Sequence, residues 1–284
     1  MNWNPAVVLM AAVALNALAA PAEVAPAGTI VNFSSLDTQR SLSVHGTLYL
    51  PANCTGPCPT VVVVHGTSGI DSRGAFYRGP LLQAGIAMLE VDFKTGIYTT
   101  PLNRPKPATF VPLGFAALKA LRKLPAIDPD RIAIMGFSLG GHLALETALE
   151  ANRKAWLGSE KGFAAHVGFY PVCKTFLKQD DCRVTGAPML ILYGTEDSYG
   201  DGANVPAFKQ LLAQKYQFDV ATVEYAGAHH GFNRNEPAMH YLDPAATHMR
   251  GYVAWDEKAA HDSIVRVLDF FQRTFATAKS IPAP

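Results

Sequence analysis

Read for the placement of apolar and polar residues, the chain changes character at Thr60. Over residues 29–51 the two classes alternate, as in Gly46-Thr47-Leu48-Tyr49-Leu50-Pro51. A period of two predicts edge strands with one face buried. From Thr60 the pattern becomes blocks. Val61-Val62-Val63-Val64 is a continuous β-branched run, as expected of a strand covered on both faces of a parallel sheet. Short apolar runs recur at residues 86–91, 131–135, 166–170, 189–193 and 220–225. Residues 110–123, 139–150, 205–216 and 259–275 instead space their apolar side chains by three and four, which predicts helices. Strand and helix in alternation predict an α/β fold: a mostly parallel, doubly wound sheet with helices on both faces. No internal repeat or low-complexity linker divides residues 21–284, which read as one domain, with 279–284 as a loose tail.

The leader adds a compartment. Residues 1–20 are apolar and Ala-rich, end in Ala17-Leu18-Ala19, and run into Pro21 and an Ala/Pro-rich spacer. This is the pattern of a signal peptide and predicts a secreted or periplasmic protein. The competing reading, an uncleaved anchor, meets an apolar run shorter than the roughly 20 residues that span a bilayer. No later segment is long and apolar enough to span, so the mature chain is expected to carry no membrane span. The four cysteines fit export, because Cys54 with Cys58 and Cys173 with Cys182 each bracket loop-like sequence, and two local disulfides are expected. Neither spacing has the paired C-x-x-C knuckles of structural zinc, so no metal is expected there. Lys plus Arg (24) nearly equal Asp plus Glu (23), and no basic run is clustered, so nucleic acid is not expected as a partner.

The candidate chemistry begins at Gly136-Phe137-Ser138-Leu139-Gly140, a G-x-S-x-G motif directly after one predicted strand and directly before a predicted helix. Glycines two residues either side allow a sharp turn that presents Ser138 at the carboxyl edge of the sheet. A serine hydroxyl is a weak nucleophile until a base takes its proton. In this fold the acid and then the base follow the serine along the chain. Asp197, in Tyr193-Gly194-Thr195-Glu196-Asp197 after a strand, is the candidate acid, with Glu196 and Asp201 as rivals. His230, in Ala228-His229-His230-Gly231-Phe232 after the next strand, is the candidate base, with His229 as its rival. His142, His240, His248 and His261 read as packing or surface residues. Negative charge developing on an acyl carbonyl needs preorganised N–H donors. Leu139 is expected to supply one backbone N–H, and Thr67, in His65-Gly66-Thr67-Ser68-Gly69, the other; His65 reads as structural, bonding that turn.

With those residues placed, the chain resembles the dienelactone hydrolase branch of the α/β-hydrolases, from Gly46 to about Phe275. The resemblance rests on V-V-V-V-H-G-T-S-G, I-D-P-D-R-I-A-I-M-G-F-S-L-G-G, L-Y-G-T-E-D and H-H-G-F. It implies the α/β-hydrolase fold, Ser138, Asp197 and His230 as a triad, and backbone amides of Thr67 and Leu139 as an oxyanion hole. The founding members carry cysteine as the nucleophile; Ser138 stands in that place and points to a broader hydrolysis of carboxylic esters or lactones. The expected partner is a small-molecule ester or lactone. No metal or organic cofactor is required, and no G-x-G-x-x-G fingerprint suggests a dinucleotide. The segments 71–79, with Arg73, Phe76, Tyr77 and Arg78, and 233–252 are expected to border the pocket, or else to be plain surface loops. Two other classes stand beside this reading: a peptidase related to the prolyl oligopeptidases, and a non-catalytic binding protein on the same scaffold.

Overall fold

The computed structural model describes residues 27–95, 97–98, 103 and 105–278. The expected leader and tail lie outside the described residues. An eight-stranded sheet is built from β1 (Thr29–Ser34), β2 (Ser43–Tyr49), β3 (Cys58–Val64), β4 (Ala87–Asp92), β5 (Ile127–Phe137), β6 (His166–Phe169), β7 (Met189–Gly194) and β8 (Ala221–Tyr225), in the order β1-β2-β4-β3-β5-β6-β7-β8. The first two strands pair antiparallel; from β4 to β8 all neighbours are parallel. Among the described residues the α-helices are α1 (Ser72–Gln83), α2 (Val111–Leu121), α3 (Leu139–Glu146), α4 (Glu150–Leu157), α5 (Asp201–Tyr216) and α6 (Glu257–Ala278).

Alternate side chains of the central strands feed two cores. Val62 and Val64 cluster with Leu113, Phe115 and Leu118 of α2, while Val61 and Val63 cluster with Tyr77 and Leu81 of α1 and with Val267 and Phe271 of α6. None of the four valines is more than 2% exposed, which is why this strand shows no polar alternation. Burying each is worth about 1.5–3 kcal/mol. A third cluster packs Phe208 and Leu212 of α5 on Ile191 and Tyr193 of β7.

Three elements depart from the expectation. The helix expected over 139–150 ends at Glu146, because Leu149 turns extended to bridge Val184 and the Glu150 N–H donates to the Arg183 carbonyl at 2.8 Å. The segment 71–79, expected to be a pocket border or else a surface loop, falls mostly within α1, which is capped by the Asp71 carboxylate accepting the Arg73 N–H. The stretch 233–252 contains a two-stranded hairpin, β9 (Met239–Leu242) and β10 (Arg250–Val253).

Cys54 and Cys58 form a disulfide. The second expected bridge is absent: Cys173 and Cys182 are both free. Each is fully buried in the cluster around Phe176 and Phe208, and the Cys182 thiol donates to the Phe176 carbonyl at 3.1 Å. The two behave as small apolar side chains. Burial holds both thiols protonated, pushing Cys173 well up and Cys182 to about 11. Among the described residues no helix is long and apolar enough to cross a membrane.

Candidate active site

The carboxyl ends of β3, β5, β7 and β8 bring the candidate residues to one edge of the sheet, where open α/β sheets place their sites. Ser138 joins β5 to α3 with φ 55° and ψ −114°, a conformation costly for a residue with a side chain. Its surroundings impose that conformation. The Ser138 N–H donates to the Phe169 carbonyl at 3.0 Å, and the Ser138 carbonyl accepts from the His142 N–H at 2.8 Å. The flanking glycines admit the turn: a Cβ on Gly136 would collide with the Gly140 carbonyl group, and one on Gly140 with the Val64 carbonyl.

Ser138 Oγ lies 2.8 Å from His230 Nε2, and His230 Nδ1 lies 2.8 Å from Asp197 Oδ2. With the carboxylate as acceptor, Nδ1 carries the proton and Nε2 is left to accept from the serine hydroxyl. Asp197 Oδ1 accepts the Tyr199 N–H at 2.7 Å, fixing the carboxylate. The His230 and Asp197 side chains are buried, at 2% and 0% exposure, so their pairing is little screened by solvent. The rivals sit elsewhere. Glu196 is exposed, and His229 turns its Nδ1 to the Glu196 carbonyl at 3.0 Å. The Asp201 carboxylate accepts the N–H groups of Val172 and Cys173, at 2.8 and 2.7 Å. Burial, and then the neighbouring Asp197, raise Asp201 to about 7.

The Thr67 turn is held by its own carbonyls. The Gly66 carbonyl accepts from His65 Nδ1 at 2.6 Å and from the Gly69 N–H at 3.1 Å. In a trans peptide the N–H opposes the C=O, so these bonds aim the Thr67 N–H the other way. His65 Nε2 accepts the Phe93 N–H at 2.9 Å, which ties this turn to the end of β4. Leu139 heads α3, and its N–H is among the first-turn donors that find no partner inside a helix. His142 is packed, its ring stacked on Phe176 at 4.5 Å.

A cavity of about 150 Å³ opens on Ser138 and His230, with Thr67, Arg73, Arg234 and Tyr241 among its other lining residues. Of the residues expected to border it from 71–79, only Arg73 does. Helical spacing carries Tyr77 into the core, Phe76 against Trp255 and Arg78 over Tyr49. Asp71 holds Arg73 by two bonds, from Nε at 2.8 Å and Nη2 at 2.5 Å, and lies 3.7 Å from Arg234 Nε; Arg234 also pairs with Glu236. Two residues that the sequence reading did not single out flank the imidazole: the rings of Tyr199 and Tyr170 lie 4.3 and 4.5 Å from that of His230. Tyr199, two residues beyond Asp197, had a local signal in that spacing; Tyr170, at the end of β6, had none.

The model of the dienelactone hydrolase family matches residues 44–275. Esterase FrsA of Enterobacter sp. (strain 638) is 34% identical over 114 residues, 39% of this chain and 27% of that protein. The chain thus spans about a quarter of the length of the curated relatives it matches. The fold is shared with a dienelactone hydrolase-like promiscuous phosphotriesterase from metagenomic libraries, at TM-score 0.65 and 20% identity over 87% of this chain and 99% of that one. It is shared also with esterase 2 of Thermogutta terrifontis, solved phosphorylated by paraoxon, at TM-score 0.58 and 18% identity over 92% and 97%. With the family match running from the second strand into the last helix, the chain belongs to the dienelactone hydrolase family of the α/β-hydrolases.

Proposed function

We propose that this protein is a serine hydrolase of carboxylic esters or lactones that works through an acyl-enzyme. The observation that carries the reading is the unbroken chain from Asp197 through His230 to Ser138, two bonds of 2.8 Å ending at a cavity. Ser138 Oγ attacks the carbonyl carbon while His230 Nε2 takes its proton. The N–H groups of Thr67 and Leu139 stabilise the negative oxygen that forms. The tetrahedral intermediate collapses, the C–O bond to the alcohol breaks, and the imidazolium returns the proton to the departing alkoxide. Water, deprotonated by the same nitrogen, then attacks the acyl-enzyme and releases the acid and free Ser138. Asp197 keeps the proton on Nδ1 and stabilises the imidazolium without taking the proton itself. Export to a secreted or periplasmic location belongs to the same proposal, supported by the leader sequence and the Cys54–Cys58 bridge.

Hydrolysis of p-nitrophenyl esters by wild type and by Ser138→Ala, with folding followed by circular dichroism, tests this. Wild type turns over a short ester, and the folded variant loses about 10⁴-fold or more in kcat. Undiminished turnover by the variant contradicts the reading. An aminoacyl anilide in parallel separates an esterase from a peptidase, and turnover of the anilide in preference to the ester contradicts ester specificity.

A further inference from the structure

The β9–β10 hairpin brings Met239, Tyr241 and Val253 to the cavity that opens on Ser138. Its antiparallel register pairs Met239 with Val253 and Tyr241 with Gly251. Cross-strand partners share a face, so these four positions form one surface, turned to the cavity. On the other face His240 stacks on Tyr252 at 4.4 Å. Gly251 contributes no side chain, and the Tyr241 ring lies across it: a Cβ at position 251 would stand 2.7 Å from Tyr241 Cζ and 2.8 Å from Cε2. The hydroxyl at the ring's tip lies 2.8 Å from that of Tyr199, which donates to Asp243 Oδ2 at 3.0 Å. The ring is therefore held at its face and at its tip.

The hairpin is anchored as well. The Tyr252 N–H donates to Ser198 Oγ at 3.0 Å, the Thr247 N–H to the Ser198 carbonyl at 2.8 Å, and the Ala254 N–H to the His230 carbonyl at 3.2 Å. These anchors lie on the loops that carry Asp197 and His230, so the hairpin is tied to both and forms a wall of the site. The volume that remains, about 150 Å³, is that of a cavity filled by a single benzene ring.

We propose that Tyr241, laid over Gly251, is the specificity-determining residue of this site and sets the length of ester chain that lies beside Ser138 and His230. This rests on the serine hydrolase reading and deepens it: the favoured substrates are short-chain esters.

The test compares kcat/KM for p-nitrophenyl acetate with that for the octanoate, and for ethyl acetate with that for octyl acetate, in wild type, Tyr241→Ala, Tyr241→Leu and Tyr241→Phe. Within one variant such a ratio cancels any general damage to catalysis. Tyr241→Ala raises the long-to-short ratio in at least one series by about tenfold or more, since each methylene newly sheltered from water is worth about fourfold. Tyr241→Phe, which keeps the ring, keeps the wild-type ratio. Should Tyr241→Ala fail to fold, Tyr241→Leu carries the test, with a smaller shift in the same direction. Ratios unchanged in both series for the folded Ala or Leu variant overturn the proposal and leave the parent reading intact. Failure of wild type to turn over any ester overturns both.

Discussion

At Ser138 the strain of a positive φ is held by two backbone bonds and by two neighbours that lack a Cβ. Gly140→Ala pushes a methyl into the Val64 carbonyl and to 2.6 Å from that of His65. Neither oxygen belongs to a flexible side chain, so overpacking of about 1–3 kcal/mol or more is expected, read as a lowered melting temperature together with lost activity. A melting temperature equal to wild type contradicts the steric account. Asp197→Asn keeps the shape of the loop and leaves His230 Nδ1 without its carboxylate. It is expected to lower ester turnover by about 10⁴-fold while the protein stays folded. Much at this scale was legible in the sequence, because Gly136 to Gly140 encode a turn that few other residues permit, and because Asp197 and His230 each follow a strand. Of the two tyrosines around His230, Tyr199 had only its spacing from Asp197 as a signal, and Tyr170 was not legible. Tyr170 reaches the imidazole from another strand, and the apolar pattern that buries it is the same as for any strand residue.

Among the elements, β3 to β8 were plain in the apolar blocks, and α1 was hidden. Gly74, Gly79 and Pro80 all lie within its twelve residues and weaken the helical signal. Gly74 faces the Glu90 carboxylate of β4, which a Cβ there would push aside. The hairpin in 239–253 escaped because its strands are four residues each and their side chains are mixed, as suits a surface piece with one face on a cavity. The cysteines show a different limit. Close spacing is compatible with a bridge, but it says nothing about where the sulfurs point, and at Cys182 the thiol points to a carbonyl. Alkylation in denaturant is therefore expected to label two cysteines before reduction and four after it. Only two new labels on reduction, both at Cys54 and Cys58, fit the structure; four new labels contradict it.

For the molecule as a whole, a parallel sheet gathers loops from four strands at one edge and so brings Thr67, Ser138, Asp197 and His230 together across 164 positions of chain. The same convergence buries Asp201 near Asp197, and this has a consequence for stability. A carboxyl raised from 3.8 to about 7 by burial and by a like charge favours folding while it is protonated. Its contribution is full below about pH 4 and is lost as the pH rises through about 7. Asp201→Asn carries no charge to lose. The stability of this variant relative to wild type should therefore improve between pH 5 and pH 8, read from urea midpoints, and a difference that stays constant with pH contradicts the assignment. In the proposed mechanism Ser138 forms a covalent bond with the group it attacks. A fluorophosphonate, which loses fluoride to such a serine and stays attached, tests this most directly when the labelled protein is digested and mapped by mass spectrometry. One adduct is expected, on the peptide that contains Ser138, and none in Ser138→Ala. An adduct elsewhere, with Ser138 unmodified while esterase activity is lost, would contradict it.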